Sequence, residues 1–269
     1  TPGDESGKIP HEIRLEFNSV HAVQHAARTN AQEWFIDPSD NTLKNWDTAD
    51  ATSLWILAIL RGHKQLDIEP DDSTEHALHD GLSWIVKTAS KYDGFIGFLG
   101  AGLQEGREYS GLHNQGWKDT EAIYQTPSGE KAPHPIKDVL VNAEAWAALS
   151  DGAEYFHVKD SVFSEVLQTA ADILKEKFNS VETGFMLSSR KGLAQAIDGN
   201  GEQLKQRAID QGAVLWARTL TGDVCVKDET AKDIINEMLS SDMFNESAGI
   251  RDYAIGTEFS HGTDYHGSP

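Results

Sequence analysis

The chain has 269 residues, of which 39% are hydrophobic, so it can bury a core of ordinary size. Its 43 acidic and 23 basic residues give a net charge of −20, which argues against nucleic acid or another polyanion as a partner. No apolar run is long enough for a transmembrane helix, so we expect no membrane partner.

The composition favours a neutral or cationic ligand and a reducing compartment. Neutral sugars are compatible with the strong negative charge, whereas nucleotides are less so. Cys225 is the only cysteine, so an internal disulfide is excluded, which fits a cytoplasmic protein. The first ten residues, TPGDESGKIP, lack the basic and apolar regions of a signal peptide. We expect one domain over residues 1–269, and its oligomeric state stays open.

Helical patterns dominate the chain in sequence order. Apolar residues recur at helical spacing in residues 16–35, 50–61, 73–90, 136–156, 160–178, 204–221 and 229–240. Asp160 is a predicted N-cap, and Asp72 with Glu75 resembles a capping box. Strand patterns are limited to residues 94–98 and 184–187. Helices that follow one another in pairs predict an all-α array or toroid, with a few short β segments in its loops.

Two patterns of the kind found in cofactor or metal sites do not meet the requirements of such a site. The glycines at 97–106 have the wrong spacing for a dinucleotide-binding turn, and no helix follows them. His21 and His25 lie four residues apart but lack the glutamate of HExxH, so a solvated helix face is the favoured interpretation. We therefore expect no cofactor and no metal.

The stretch GLHNQGWKDT at 111–120 concentrates polar and aromatic side chains in a predicted loop. Asn114 and Gln115 could bind sugar hydroxyls, and Trp117 could provide an aromatic wall. Such a wall raises the pKa of a nearby carboxyl group, as Asp119 would need in order to protonate a glycosidic oxygen. From spacing alone, the favoured interpretation is that Asp119 and Thr120 cap the short helical segment that follows.

The same stretch resembles the NQGWKDS signature of glycogen-debranching-type amylo-α-1,6-glucosidases, which are glycoside hydrolases with an (α/α)6 barrel. Six further segments resemble segments of that family in the same order along the chain. They are GKIPHEIR at 7–14, ADAT at 49–52 with DGFIGF at 93–98, QGAVLWA at 211–217, AGIRDYA at 248–254 and YHGSP at 265–269.

The resemblance implies an inverting glycoside hydrolase in which Asp119 is the general acid. It also implies a substrate pocket, with Trp117 and Trp216 as aromatic walls. The substrate-binding residues that it implies are Glu12, Arg14, Asp50, Asn114, Gln115, Trp117, Lys118, Gln211, Trp216, Arg251, Tyr265 and His266. The implied substrate is a neutral oligosaccharide or a small glucoside, with α-1,6 branches, trehalose-type bonds and glucosyl-glycerate-like compounds all open.

The chain departs from the family in its extent. The family's general base lies beyond the segment that YHGSP resembles, and its upstream FGRDS-type segment has no counterpart here. We therefore expect an incomplete toroid that corresponds to the middle of the catalytic domain. The alternative is a carbohydrate-binding or structural helical scaffold without catalytic activity.

Overall fold

The computed structural model describes residues 7–10, 13–14, 34–37, 42–45, 47–100, 114–118, 124–126, 128–189, 191–247 and 249–255. Helices dominate this part of the chain. They are α1 (Ala49–Leu66), α2 (Asp72–Lys91), α3 (Val139–Phe156), α4 (Ser161–Phe178), α5 (Ala213–Trp216) and α6 (Asp228–Met238), with a 3-10 helix at Ile209–Gly212 before α5. The fold is therefore mostly helical. None of these described helices has both the length and the apolar character needed to cross a lipid bilayer.

The strands are short and pair only antiparallel. They are β1 (Ile9–Pro10), β2 (Ile13–Arg14), β3 (Trp34–Asp37), β4 (Thr42–Asn45), β5 (Asp47–Thr48), β6 (Lys137–Asp138), β7 (Ala196–Ile197), β8 (Gln203–Leu204), β9 (Phe244–Asn245) and β10 (Gly249–Ile250). Strand β1 pairs with β5, β9 pairs with β10, and the two three-stranded sheets have the orders β2-β4-β3 and β6-β7-β8. The short sheets lie at the ends of the helices. Strand β5, for example, leads directly into α1.

Helix α3 forms the centre of the core. It packs against α1, α2, α4 and α5. Most of its residues are buried, so other parts of the protein cover the helix on all sides. Five alanines between Ala143 and Ala153 are buried, and their small side chains allow neighbouring helices to approach closely. A helix that is apolar around its whole circumference is typical of such a central position.

The predicted pairs of helices are present as α1–α2 and α3–α4. Asp160 is the N-cap of α4 as predicted, because its side chain accepts a hydrogen bond from the Phe163 N–H. The cap of α2 is Asp71, one residue before the predicted Asp72, and its carboxylate accepts from the Thr74 N–H. Helix α3 begins at Val139 because residues 137–138 extend as β6.

The predicted helix over residues 204–221 is wrong over most of its length. Tertiary contacts hold its first half in other conformations: Arg207 forms ion pairs with Glu237 and Asp242, and Ala208 forms a bridge with Tyr253. The 3-10 helix and α5 occupy only residues 209–216.

Two predicted strands and one predicted helix also differ from the structure. The segments 94–98 and 184–187 form single bridges, Phe98 with Ile136 and Met186 with Leu193, because their phenylalanines pack into the helical core. For the helix over residues 16–35, residues 16–33 lie outside the described residues, whereas residues 34 and 35 belong to β3.

Candidate functional site

The loop of residues 114–118 is closed by the side chain of its first residue. The Asn114 side-chain amide donates to the carbonyl of Lys118, and its Oδ1 accepts from the Gly116 N–H at 3.0 Å. Asparagine commonly closes a turn in this way because its short side chain reaches nearby backbone groups. The local sequence thus holds the loop in a tight turn.

Gln115 connects this loop to other parts of the fold through hydrogen bonds of its side chain and its backbone. It is 1% exposed, and its Nε2 donates to the Leu99 carbonyl at 2.9 Å while its Oε1 accepts from the Lys8 Nζ. Its backbone carbonyl accepts from the Asp50 N–H at 3.3 Å, at the start of α1. The side chain of Gln115 is therefore part of the internal framework of the loop.

Lys118 is a buried cation with a carboxylate and a phenol as partners. It is 1% exposed, and its Nζ donates to Asp210 Oδ2 at 2.7 Å and to the Tyr253 hydroxyl at 2.9 Å. Burial acts to lower the pKa of Lys118, but the charge of Asp210 and the hydrogen bonds outweigh it and raise that pKa. The ammonium group therefore stays charged inside the core.

The carboxylate of Asp210 accepts hydrogen bonds from several donors. It lies in the 3-10 helix and is 1% exposed. Its Oδ1 accepts from the indole N–H of Trp117, and its Oδ2 accepts from Lys118 and, at 3.5 Å, from Gln195. Gln195 also donates to Tyr253 at 3.2 Å. Trp117 and Lys118 are thus held by one carboxylate that lies 93 and 92 positions away in the chain.

A second carboxyl group lies behind the loop at the start of α3. Asp138 caps this helix by accepting from the N–H groups of Leu140 and Val141, and it also accepts from the Tyr124 hydroxyl at 2.8 Å. Burial and the charge of Asp210 raise the pKa of Asp138 to about 7. The folded protein therefore retains a proton on this group to a higher pH than is usual for an aspartate.

Glu144 and Asp50 add two more buried carboxyl groups near the loop. Glu144 is 1% exposed and Asp50 is 7% exposed. Burial, followed by the charges of Asp50 and Asp138, raises the pKa of Glu144 well above its usual range. Among the described residues, the Oε2 atom of Glu144 has no hydrogen-bond partner, which is uncommon for a buried carboxyl group.

Gly116 allows the loop to lie directly on these elements. A Cβ atom at this position would lie 3.3 Å from the Tyr124 hydroxyl and 3.7 Å from Val141 Cγ2. Val141 and Glu144 are three residues apart on α3 and therefore share a helix face. The buried carboxyl groups thus lie beneath the backbone of residues 114–118.

No protein-family model matches this sequence, and no curated protein matches it. Residue chemistry and geometry therefore carry the functional argument.

The remaining predicted site residues fall into three groups. Gln211 is buried next to Asp210; its Oε1 accepts from the Leu193 N–H at 3.2 Å, and its Nε2 has no hydrogen-bond partner. Trp216 is 47% exposed at the end of α5, Arg251 is half-buried beside β10, and Arg14 pairs through its backbone with Leu43 in the small sheet. Four predicted residues lie outside the described residues: Glu12, Asp119, Tyr265 and His266.

Sequence reasoning did not identify Asp210, Tyr253, Asp138 or Glu144 as site residues. Glu144 carried a usable signal, because a charged residue inside the apolar run VLVNAEAWAAL is rarely buried without a role. Asp138 precedes the same run in the position of an N-cap. Asp210 and Tyr253 have no such local signal, since their contacts with Lys118 depend on distant parts of the chain.

The part of the chain that the structure describes contains no group of three or more His, Cys, Asp or Glu side chains arranged to hold a metal ion. A groove of about 670 Å³ between α2 and α4 is lined by apolar side chains such as Val86, Val166 and Ile173, and it contains none of the predicted site residues. The loop of residues 114–118 and its carboxyl groups therefore form the candidate site.

Proposed function

We propose that this chain is a glycoside hydrolase domain that cleaves α-glucosidic bonds by inverting acid–base catalysis, with Asp119 as the proton donor. The proposal includes an (α/α)6 toroid, of which α1–α2 and α3–α4 are two consecutive helix pairs. It also includes a neutral oligosaccharide or small glucoside as the substrate and a cytoplasmic location for the protein.

The observation that carries the proposal is the set of hydrogen bonds that holds the loop of residues 114–118 in place. Asn114, Gln115 and Lys118 all make hydrogen bonds within the protein, and Lys118 is held at its carbonyl and at its ammonium group. Asp119 follows Lys118 directly in the sequence, and the braced loop ends at Lys118. General acid catalysis requires such positioning, because the proton must be transferred within hydrogen-bond distance.

The charges around the loop also support a reaction in which positive charge develops. Asp50, Asp138, Glu144 and Asp210 are all buried near residues 114–118; among the described residues, Lys118 pairs with Asp210 and Lys8 contacts Gln115 of the loop. Hydrolysis of a glycosidic bond proceeds through a transition state that resembles an oxocarbenium ion. Carboxyl groups stabilise that charge when they are ionised, and the raised pKa values of Asp138 and Glu144 limit their contribution to the higher end of the pH range.

The reaction then proceeds in one displacement. Asp119 gives its proton to the glycosidic oxygen as the bond from this oxygen to the anomeric carbon breaks. A water molecule attacks the anomeric carbon from the opposite face, and a carboxylate acting as base accepts its proton. In inverting enzymes the two carboxyl groups are about 6.5–9.5 Å apart, which leaves room for this water.

The decisive experiment measures glucose release from α-linked glucosides that include a branched maltooligosaccharide, trehalose and glucosylglycerate. We expect release from at least one substrate, with β-glucose as the first anomer. Asp119→Asn removes the proton donor, so we expect the rate to fall by a factor of about 10² to 10⁴. Asp223→Asn, in an exposed turn, is the matched control and should retain full activity.

The same experiment separates the enzyme from a carbohydrate-binding scaffold. Quenching of tryptophan fluorescence by the glucosides reports binding whether or not they are cleaved. Binding without release of glucose from any substrate would favour the scaffold. Equal rates for the wild type and Asp119→Asn would exclude Asp119 as the acid.

A further inference from the structure

We propose that the groove between α2 and α4 is a docking surface for a basic amphipathic helix of a partner protein. The groove has a volume of about 670 Å³, and its lining shares no residue with the loop of residues 114–118 or with the carboxyl groups near that loop. The proposal therefore does not depend on the glycoside hydrolase function.

Helix α4 has a second apolar face in addition to the one that packs into the core. The inner face is formed by residues that are all fully buried, namely Leu167, Ala171, Leu174 and Phe178. The outer stripe consists of four residues that line the groove at intervals of four, three and four positions, namely Val162, Val166, Thr169 and Ile173. This spacing is typical of a helix face that packs against another helix.

The outer stripe is largely apolar and yet exposed. Val162 is 73% exposed, Val166 is 43% exposed and Ile173 is 44% exposed. Along the helix axis the stripe is about 16 Å long, which corresponds to about three turns of a partner helix. Contiguous apolar patches on a surface are typical of sites that bind another protein.

Helix α2 supplies the opposite wall of the groove through Val86 and Ala89. The turn after α2 lies against the outer stripe, because a Cβ atom on Gly94 would be only 2.6 Å from Ile173 Cγ2. The groove is therefore a concave apolar surface between two helices. An amphipathic helix binds to such a surface through apolar residues at helical spacing.

The charges at the groove favour a basic partner. Lys177 pairs with Asp93 at 2.9 Å, so this positive charge is neutralised within the lining. Glu165 and Glu176 also line the groove, and neither forms an ion pair in the part of the chain that the structure describes. A helix with Lys or Arg beside its apolar residues complements these carboxylates as well as the outer stripe.

A second copy of this chain fits the groove less well. Each copy has a net charge of −20, and pairing of two outer stripes would bring the glutamates of both copies to one contact. Like charges that face each other across an interface oppose association. Charge therefore selects a partner of the opposite sign.

The test uses a synthetic helical peptide of about 18 residues, with leucine at positions i, i+4, i+7 and i+11 and lysine on its other faces. We expect saturable binding to the intact chain by fluorescence anisotropy, with a Kd below about 100 µM. Val166→Gln combined with Ile173→Gln removes the apolar contact without a change in charge, so the Kd should rise about 10-fold. Val158→Gln is the matched control and should bind like the wild type, because Val158 is 92% exposed and lies outside the lining.

A second pair of variants tests the charges. Glu165→Gln combined with Glu176→Gln should raise the Kd about 5-fold, as expected for the loss of two exposed ion pairs. The control combines Asp172→Asn with Glu182→Gln, which removes the same charge at exposed positions outside the groove. Its Kd should equal that of the wild type.

Three results would overturn the proposal. The first is the absence of saturable binding, and the second is an equal Kd for the wild type and the Val166 and Ile173 double variant. The third is equal binding of a peptide of the same composition whose leucines do not form a stripe, which would mean that any basic peptide binds the acidic surface. Sedimentation equilibrium of the chain alone tests the other occupant, since a dimer that dissociates in this double variant would assign the groove to a second copy.

Discussion

At the scale of single residues, Glu144 is a carboxyl group in an apolar helix. It is 1% exposed in the middle of α3, and its Oε2 atom makes no hydrogen bond. Water is excluded and two other carboxyl groups are near, so the neutral acid is favoured in the folded state. In the unfolded chain the same group has its ordinary pKa of 4.5.

This difference makes stability depend on pH. Above the unfolded pKa, the unfolded chain loses the proton of Glu144 while the folded protein retains it, so the free energy of unfolding falls as pH rises. Glu144→Gln keeps the shape and removes the ionisation. We therefore expect this variant to match the wild type near pH 4.5 and to melt at a higher temperature at pH 8.

Thermal unfolding followed by circular dichroism at these two pH values tests the prediction. Glu154→Gln is the matched control, because Glu154 lies on the same helix with its side chain 50% exposed in an ion pair with Lys64. Its pH dependence should equal that of the wild type. A Glu144→Gln variant that melts below the wild type at pH 8 would show that the ionised carboxylate stabilises the fold.

At the scale of elements, the contact between α2 and α3 depends on a glycine. A Cβ atom at Gly152 of α3 would lie 2.7 and 2.9 Å from the two methyl carbons of Leu82 on α2. Leu82 is fully buried among close-packed side chains, so its methyl groups can shift only at a cost. Gly62 of α1 provides the contrast, since no atom lies within 4 Å of a Cβ built there.

These two glycines predict opposite effects of the same substitution. Gly152→Ala gains helix propensity but overpacks the core, at a cost of about 1–3 kcal/mol that exceeds the gain. Gly62→Ala gains about 1 kcal/mol of propensity without a clash. Urea unfolding should thus show a lower midpoint for Gly152→Ala and a higher one for Gly62→Ala. Equal shifts in the same direction would mean that the helix contact adapts without cost.

At the scale of the whole molecule, the net charge of −20 acts on every conformation of the chain. Repulsion among acidic groups is stronger in the compact state than in the unfolded chain. Several ion pairs on the described surface, such as Lys64 with Glu154 and Lys191 with Asp233, are partly exposed and each contribute little. Repulsion should therefore dominate the response to salt.

We expect the melting temperature to rise when NaCl is increased from about 0.01 to 0.3 M at pH 7, because the ions screen the repulsion over a shorter distance. The control is the same titration at the isoelectric point, near pH 4.8, where the net charge vanishes and the effect should be small. A fall in melting temperature at pH 7 would indicate that ion pairs outweigh repulsion.

The sequence by itself determined the helices whose signals are local. The apolar periodicity of α1, α2, α4 and α6 and the N-cap at Asp160 depend on residues within a few positions of one another. These are short-range interactions, so a linear pattern contains them. The grouping of residues 114–118 as one polar loop is also readable from the sequence.

The tertiary structure alone decided how that loop is held and where the helical pattern of residues 204–221 is interrupted. Lys118 reaches Asp210 and Tyr253 across 92 and 135 positions, and no local pattern encodes contacts of that separation. Long-range contacts also draw residues 207–210 away from a regular helix: Arg207 forms partly buried ion pairs with Glu237 and Asp242, and the buried charge of Asp210 is paired with Lys118, because a buried charge is costly without a partner.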